Sequence, residues 1–346
     1  MHTIWVPTPE HGNQACLLNC ELTTVNRQPF IMLDSDSKIW LESRFKNSVR
    51  FDESMSKHTS LRVGGAADAF VMPEKPEELV ELIKWSRQKD IPCLVIGDGT
   101  NLLVKDSGIR GIVILLTKCL KSVTKRDIGR DGIIVTALAG ARMQTLCSFA
   151  VKNGLKGMNF AIGIPGTVGG GIMMNAGTAH GSMKGVLDSI KILLPDGHTK
   201  IIMRENLDFE YRKLSLKNEV KEVNQGQPII MGGCFCLHPS DPKELQKDAE
   251  EILKARKERQ PSGSPSAGCF FKNPLSGKTA GELIDLAGLK GKSIGGAEIS
   301  LKHANFIINR DRASASDILA LIELVQETVS KKFNINLEPE IKIVGQ

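Results

Sequence analysis

The segment from Ile162 to Gly177, with the sequence IGIPGTVGGGIMMNAG, constrains the fold more than any other part of the chain. Five glycines lie between Gly163 and Gly171, with Pro165 and Thr167 among them. Glycine inside a helix or strand costs roughly 0.5–1 kcal/mol relative to alanine, so the run predicts a backbone that approaches something a side chain would obstruct. Bare main-chain amides can surround a phosphate, although a tight buried turn would also use glycine. The length of the run favours the ligand cradle over the turn.

A second glycine turn, at residues 95–104 with the sequence VIGDGTNLLV, indicates the same chemistry independently. Gly97 and Gly99 fit the start of the dinucleotide-binding motif, but Leu102 replaces its third glycine and no helical period follows. Neither turn ends in Gly-Lys-Ser or Gly-Lys-Thr, so neither is a P-loop. The two turns together indicate a cofactor fold that uses neither of these common nucleotide motifs.

The composition is that of a soluble globular protein, since 41% of the 346 residues are apolar and 24% are charged. The length predicts two or three domains. No apolar run approaches the roughly 18 residues of a membrane helix, and the N-terminus lacks the pattern of a signal peptide. We therefore expect a cytoplasmic protein with no membrane partner. The net charge of +6 is dispersed, which argues against nucleic-acid binding and suits an anionic small-molecule substrate.

The eight cysteines form no C-x-x-C pair, and most of them stand in apolar runs. This pattern predicts reduced, buried thiols and no metal site. Cys269 differs because it ends the polar, glycine-containing segment 266–269, and we expect it to be the most exposed cysteine and open to alkylation. A thiol with a pKa of about 8.5 is mainly protonated at neutral pH and can donate a proton. A small residue that fills a gap explains Cys269 equally well from the residues alone.

Periodicity and turn residues divide the chain into an extension over residues 1–50, a first lobe over 51–115, a second lobe over 116–238 and a third unit over 239–346. The composition shift at Pro239 sets the last boundary. Helices are predicted at Pro76–Asp90, Arg142–Lys152, about 242–260, Thr279–Ala287 and about 316–333, with strands between them. The final segment is predicted as a strand that carries Glu338, Glu340 and Lys342 on one solvated face.

Five motifs in combination resemble one known family. GDGTNLLV at 97–104 and IGIPGTVGG with NAG at 162–177 are similar to the flavin-binding part of the bacterial UDP-N-acetylenolpyruvoylglucosamine reductases. FEYR at 209–212, SAGCFFKNP at 266–274 and LEPE at 337–340 are similar to motifs of their catalytic site. The resemblance covers residues 52–346. It implies an α+β protein with a FAD-binding fold of the vanillyl-alcohol-oxidase (PCMH) type in two lobes and a C-terminal α/β substrate-binding domain.

The resemblance also implies the site residues, with FAD as cofactor and NADPH as reductant. The residues expected to bind FAD are Gly97, Gly99, Thr100, Asn101, Leu102, Gly163, Ile164, Pro165, Gly166, Thr167, Gly169, Gly170, Asn175, Ala176 and Gly177. The expected catalytic residues are Arg212, Cys269 and Glu340, and the expected substrate-binding residues are Tyr211, Lys272, Asn273 and His303. From the residues alone, the charged groups of this set would be solvated surface charges and the histidine a structural one.

The implied reaction is the reduction of UDP-N-acetylglucosamine enolpyruvate to UDP-N-acetylmuramate, a step in peptidoglycan precursor synthesis. Hydride would pass from NADPH through FAD to C3 of the enolpyruvyl group, and Cys269 would protonate C2. Arg212, with Glu340 as its acidic partner, would stabilise the developing charge. This chain has Cys269 where many members have serine and His180 where many have tyrosine, and it lacks the extra loop of one subgroup. We expect a monomer.

Two alternatives stay open at this point. An FAD-dependent oxidase of the same fold would keep both glycine turns, but it would have no use for Arg212, Cys269 and Glu340 together. A non-catalytic UDP-sugar-binding protein would hold flavin that NADPH reduces and the substrate cannot reoxidise.

Overall fold

The computed structural model describes residues 33–127, 132–217 and 228–346. The first 32 residues of the predicted extension lie outside the described residues. The helices of the described residues are α1 (Ser35–Phe45), α2 (Pro76–Gln88), α3 (Met143–Lys152), α4 (Val168–Met173), α5 (Met183–Val186), α6 (Pro242–Arg259), α7 (Ala280–Leu286) and α8 (Ala315–Phe333). None of these helices is long and apolar enough to cross a membrane.

Twenty strands are present in the same residues. In the first part of the chain they are β1 (Val49–Ser54), β2 (Ala66–Val71), β3 (Cys93–Ile96), β4 (Leu102–Val104), β5 (Ile109–Leu115), β6 (Val123–Asp127), β7 (Ile133–Leu138), β8 (Leu155–Lys156), β9 (Gly177–Thr178) and β10 (Gly181–Ser182). In the second part they are β11 (Leu187–Leu193), β12 (Thr199–Met203), β13 (Leu207–Glu210), β14 (Lys213–Leu216), β15 (Ile229–Pro239), β16 (Ser266–Cys269), β17 (Ser293–Ile294), β18 (Ala297–Ile299), β19 (Phe306–Asn309) and β20 (Lys342–Val344).

The first lobe is a four-stranded sheet in the order β1-β2-β5-β3, in which β1 is antiparallel to β2 and the other pairs are parallel. Helix α2 packs on it through Leu79 and Leu82, which are fully buried. Pro76 begins this helix and two glutamates follow in its first turn, where they complement the helix dipole. Strand β4 pairs in parallel with β20, so the turn between β3 and β4 is held against the C-terminal segment.

The second lobe is an antiparallel sheet in the order β12-β11-β15-β7-β6, with β8 paired to the end of β15. Both lobes contribute to one apolar core, which contains Leu79 and Ile114 from the first and Val135 and Ile190 from the second. The first and second lobes are thus two sheets around a shared interior.

The C-terminal part has the sheet β16-β19-β18-β17, packed with α7 and α8 around a second core. Both helices begin with a capping box, formed by Thr279 with Glu282 and by Ser314 with Asp317. Leu103 of β4 belongs to this second core, so the first lobe and the C-terminal part are packed together.

Two helices near the predicted boundaries, α6 and α1, contribute buried residues to the core of the two lobes. Helix α6 was predicted to begin the third unit, but Ala249 is buried in the core of the two lobes, and the second core has no described member before residue 267 other than Leu61, Val63 and Leu103. The charge of α6 therefore reflects its solvent face rather than a domain boundary. Residues 35–45, which were predicted to lie in an extension, form α1.

Helix α1 belongs to the first lobe. Leu41 and Phe45 are buried in the shared core. The Trp40 ring stacks on the Trp85 ring of α2, with 3.9 Å between the ring centroids and an interplanar angle of 4°. The apolar residues of α1 do not form a continuous stripe along the helix. The helix packs on the lobe through about one turn of apolar contacts, so its amphipathic pattern is weak.

Candidate active site

The two glycine turns meet in the structure. A Cβ atom added to Gly97 would lie 2.2 Å from Thr167 Oγ1, and one added to Gly166 would lie 2.6 Å from Thr100 Oγ1. Glycine at these positions therefore lets two loops from different lobes approach backbone to side chain. The prediction of two glycine turns at one site is consistent with this contact.

A cavity of about 1100 Å³ opens beside this contact, between the two lobes. Its lining includes Ile96, Gly97, Ala139, Thr167, Gly169 and Gly170. The volume slightly exceeds the usual range of about 300–1,000 Å³ for ligand sites, which suits a large dinucleotide cofactor. A Cβ atom on Gly170 would meet nothing nearer than Thr167 Oγ1 at 3.6 Å, so this glycine presents bare backbone. The residues present therefore fit FAD.

Part of the second glycine run is helical. Val168–Met173 form the short helix α4, and the Thr167 hydroxyl accepts a hydrogen bond from the Gly170 amide at 3.4 Å. Gly169 is required there by packing, since a Cβ atom would lie 2.8 Å from Ala139 Cβ and 3.2 Å from the Ala139 carbonyl oxygen. The second glycine run therefore contains both glycine that allows α4 to pack closely and glycine that presents bare backbone to the cavity.

Two predicted FAD-binding asparagines use their side chains to hold other parts of the chain. Asn101 donates to the backbone carbonyl of Glu340 at 3.2 Å. Asn175, with φ +39°, donates to the carbonyl of Glu210 at 3.0 Å and accepts from the Lys184 amide at 3.0 Å. Both residues thus connect the glycine turns to segments that carry predicted catalytic residues.

The remaining predicted FAD residues lie around the same turns. Gly99 has φ +61° and packs against the His58 carbonyl, and Leu102 begins β4. Ile164 donates its amide to the Ala161 carbonyl, and Pro165 is exposed. Ala176 accepts from the Met183 amide, and Gly177 begins β9. Gly163 lies against Arg256 of α6.

Arg212 and Glu340 form an ion pair, with Arg212 Nε donating to Glu340 Oε1 at 2.8 Å. Arg212 occupies the turn between β13 and β14 with φ +59°, a left-handed conformation that a non-glycine residue adopts rarely. The side chains are 21% and 16% exposed, so solvent screens the pair weakly. The Tyr211 ring lies 4.9 Å from the Arg212 guanidinium carbon and is half-exposed.

The prediction that Glu340 lies in an alternating strand is wrong. Strand β20 begins at Lys342, and the preceding residues follow the course of the 269–272 segment. The Glu340 amide donates to the Phe270 carbonyl at 2.7 Å, and the Lys272 amide donates to the Glu338 carbonyl at 2.9 Å. These bonds place the Glu340 carboxylate beside Cys269 and Arg212 rather than in solvent.

Cys269 ends β16 and is partly buried, like Cys93, Cys119, Cys234 and Cys236. The prediction that it is the most exposed cysteine is therefore not supported. Its pKa is raised to about 12, mainly by burial and also by the Glu340 charge, against the opposing effect of Arg212 and Arg256. The thiol is accordingly fully protonated at neutral pH. Burial also raises the pKa of Glu340, against the effect of Arg212.

Asn305 is a residue that sequence reasoning missed. It is buried, its side chain accepts from the Phe271 amide at 2.9 Å and donates to the Phe271 carbonyl at 2.8 Å, and its carbonyl accepts from the Phe270 amide. It therefore fixes the backbone that follows Cys269. The only signal in the sequence is a polar residue between the apolar residues Ala304 and Phe306.

The predicted substrate-binding residues of the C-terminal part have identifiable neighbours. Lys272 pairs with the exposed Glu338. Asn273 accepts from the Ala280 amide at the start of α7, which is a structural contact. His303 accepts from the Asn305 amide at Nδ1, and burial lowers its pKa, so it is neutral. Within the described residues, no three His, Cys, Asp or Glu side chains are grouped as metal ligands.

Comparisons with known proteins agree over nearly the whole chain. Residues 260–344 match the family described as UDP-N-acetylenolpyruvoylglucosamine reductase, C-terminal domain, and residues 67–202 match the family described as FAD binding domain. A UDP-N-acetylenolpyruvoylglucosamine reductase of Desulfosudis oleivorans is 46% identical over 314 residues, which cover 91% of this chain and 100% of the relative. One of Clostridium botulinum is 41% identical over 300 residues, which cover 87% and 94%.

A solved structure gives the same result. The UDP-N-acetylenolpyruvylglucosamine reductase (MurB) from Thermus caldophilus matches with a TM-score of 0.69 and 35% identity, over 86% of this chain and 100% of that chain. These matches confirm the predicted α+β FAD-binding fold. A relative that aligns with 91% of the chain also extends into residues 1–50, so the similarity begins earlier than residue 52, in agreement with the packing of α1.

Proposed function

Because the chain belongs to the family of UDP-N-acetylenolpyruvoylglucosamine reductases, which are flavin-dependent oxidoreductases, we propose that it uses NADPH to reduce UDP-N-acetylglucosamine enolpyruvate to UDP-N-acetylmuramate for peptidoglycan synthesis. The observation that carries the proposal is the grouping of Arg212, Glu340 and Cys269 from three distant segments around one ion pair. An oxidase of the same fold would have no use for this group.

The two glycine turns would hold the FAD pyrophosphate. Gly97 and Gly170 present backbone to the cavity, and the amides of the turns would offset the phosphate charge. When bound and reduced, FAD supplies the hydride that is added to C3 of the enolpyruvyl group.

Cys269 is proposed as the proton donor. Its S–H bond breaks as the C2–H bond forms, and the electron pair stays on sulfur. A pKa of about 12 keeps the thiol protonated over the whole neutral range, so a proton is always available for transfer. Transfer becomes favourable only when C2 carries the negative charge that hydride addition to C3 creates.

Arg212 is proposed to stabilise this charge on the substrate. Glu340 orients the guanidinium by accepting from its Nε, which leaves the two terminal nitrogens free for a planar oxyanion. Because the side chain is held in place by its left-handed turn and its acid, little reorganisation is needed during the reaction.

Anaerobic absorbance of the purified flavoprotein tests the proposal. We expect the flavin band to bleach with NADPH and to return when the enolpyruvyl UDP-sugar is added, with UDP-N-acetylmuramate as product. A band that bleaches and does not return with this substrate would refute the proposed reaction and favour a binding protein. A protein that takes up no FAD would refute the cofactor site.

A further inference from the structure

Asp98 is the only charged residue in the two glycine segments, which span residues 97–101 and 163–177. It stands between Gly97, which lines the cavity, and Gly99, which has φ +61°. Its side chain is 25% exposed, so solvent screens its charge only in part. The backbone amides of such a turn favour a diphosphate, whereas a carboxylate beside them repels it. The turn therefore binds a diphosphate best when a cation neutralises Asp98.

Arg142 supplies this cation from the other lobe. Its Nε lies 3.5 Å from Asp98 Oδ2. Asp98 belongs to the connection between β3 and β4 in the first lobe, and Arg142 belongs to the connection between β7 and α3 in the second. The ion pair thus joins the two lobes beside the place where their glycine turns meet.

The backbone of Arg142 is fixed on the second glycine run. Arg142 forms an isolated antiparallel bridge with Thr167, and the residue after it donates its amide to the Gly166 carbonyl at 2.9 Å. Thr167 is also the residue that a Cβ atom on Gly97 would meet, at 2.2 Å from its Oγ1. The backbone that carries Arg142 and the backbone that carries Asp98 therefore converge on one point at the edge of the cavity.

The exposure of Arg142 indicates what the pair is for. The arginine side chain is 70% exposed, and an ion pair with one partner this accessible contributes little to folding. Its charge still matters to an anion bound next to it, because the pair as a whole is neutral where Asp98 alone would be negative.

We propose that Arg142 is a positioning residue of the cofactor site, which neutralises Asp98 and thereby lets the two glycine turns accept the FAD diphosphate; this assignment rests on the proposed placement of the diphosphate between the turns. Arg142 acts through Asp98, so the two partners have opposite effects. Without the arginine the carboxylate repels the diphosphate, and without the carboxylate the arginine attracts it.

Fluorescence titration of the FAD-free protein with FAD tests this assignment, because it measures affinity without turnover. We expect Arg142→Gln to weaken FAD binding about three- to tenfold, since the carboxylate of Asp98 then faces the diphosphate alone. Asp98→Asn should bind FAD about two- to threefold more tightly than the wild type, and the double variant should return to within about twofold of the wild type.

Salt and a matched control separate charge from packing. The loss in Arg142→Gln relative to the wild type should shrink as salt is raised from about 0.05 to about 0.5 M, because ions screen repulsion and do not repair a packing defect. Lys152→Gln removes an exposed cation from the other end of α3, about 15 Å away, and should leave FAD affinity unchanged.

The remaining outcomes would overturn the proposal or the cofactor site. A double variant as weak as Arg142→Gln would mean that the arginine contacts FAD directly or supports the fold, and it would overturn the proposal. Unchanged affinity in Arg142→Gln would do the same, and so would Asp98→Asn that binds FAD no more tightly than the wild type. If Arg142→Gln does not fold, the direction of the change in Asp98→Asn decides. A wild-type protein that binds no FAD would overturn the proposed cofactor site instead.

Discussion

The ion pair between Arg212 and Glu340 gives the sharpest expectation at the scale of single residues. We expect Arg212→Ala to slow reoxidation of the reduced flavin by the enolpyruvyl substrate about 100- to 1000-fold, the usual effect of removing one oriented donor. Reduction by NADPH should change little, because the lost interaction belongs to the second half-reaction. Stopped-flow absorbance measures both half-reactions separately.

Lys213→Ala is the matched control for this experiment. Lys213 is the next residue, and its exposed side chain pairs with Glu210 rather than with the site. Neither half-reaction should change in this variant. Equal slowing of both half-reactions by Arg212→Ala would contradict the role proposed for the pair.

Cys269 should resist alkylation, contrary to the expectation from the sequence. A pKa of about 12 leaves roughly three orders of magnitude less thiolate at pH 8 than a free cysteine with a pKa near 8.5 has. The labelling rate should rise about tenfold per pH unit well above neutrality, because the thiolate is the reactive form. Peptide mass spectrometry after iodoacetamide treatment, with unfolded protein as the reference, measures this. Native labelling as fast as in the unfolded chain would contradict the burial of the thiol.

Motifs in the sequence identified Arg212, Cys269 and Glu340, but not how they meet. The ion pair joins residues 128 positions apart, and no local pattern reports such a contact. The roles of Asn101 and Asn175 were harder to predict for a related reason. An asparagine side chain beside glycines can bind a cofactor or a backbone carbonyl equally well. Only the tertiary structure shows that these two asparagines donate to the carbonyls of Glu340 and Glu210.

At the scale of elements, the close approach of the two glycine turns is directly testable. Gly97→Ala introduces a Cβ atom 2.2 Å from Thr167 Oγ1, and overpacking of this kind costs about 1–3 kcal/mol. We expect a substantial loss of FAD affinity, measured by flavin fluorescence on reconstitution of the apoprotein. Adding Thr167→Ala should restore part of the affinity, because it removes the side-chain atoms of the clash.

Gly185→Ala is the control, since a Cβ atom at Gly185 would meet nothing within 4 Å. FAD affinity should not change in this variant. Normal FAD affinity in Gly97→Ala would show that the contact with Thr167 does not shape the cofactor site.

The long helices were predictable because their capping residues and the spacing of their apolar residues indicate the same helical segments. Helix α2 was predicted from Pro76 and ends at Gln88, two residues before the predicted end. Helix α4 was not predicted, because Gly169 is there for its close contact with Ala139 rather than for helix propensity. The strand predicted through Glu340 failed because Pro339 and its neighbours pair with the Phe271 segment instead of continuing β20.

At the scale of the whole molecule, Asp106 joins the first lobe to the C-terminal part. Its carboxylate accepts from the Ala315 amide at 2.8 Å, from the Ser316 amide at 2.9 Å and from the Ser316 hydroxyl at 2.6 Å, at the start of α8. Burial alone would raise the pKa of Asp106, but these hydrogen bonds outweigh it and lower the pKa. A contact between distant parts of the chain thus works as a helix cap.

We expect Asp106→Asn to reduce the free energy of unfolding at pH 7 by about 1 kcal/mol, as for other helix caps. A lowered native pKa stabilises the fold above the unfolded value near 3.9, and this stabilisation is lost as the pH falls through the native pKa. The difference between the variant and the wild type should therefore shrink in acid. Urea unfolding at pH 7 and below pH 4 measures it, and a difference independent of pH would contradict a charged cap. Asp36→Asn, in α1, is the control.

The domain boundaries were the least predictable feature at this scale. Composition divides the chain at Pro239, yet α6 packs on the lobes through Ala249, and the match to the C-terminal family domain begins at residue 260. A charged helix can belong to either neighbour, because its polar face says nothing about where its few apolar residues are buried.

The most direct test of the account is the reoxidation of NADPH-reduced enzyme by the enolpyruvyl substrate in Cys269→Ala and Cys269→Ser. Both variants should bind FAD and be reduced normally. Loss of a positioned proton donor should slow reoxidation of Cys269→Ala at least about 100-fold, while the serine hydroxyl should restore most of the rate. Reoxidation of Cys269→Ala at the wild-type rate would contradict the central claim that this buried thiol delivers the proton.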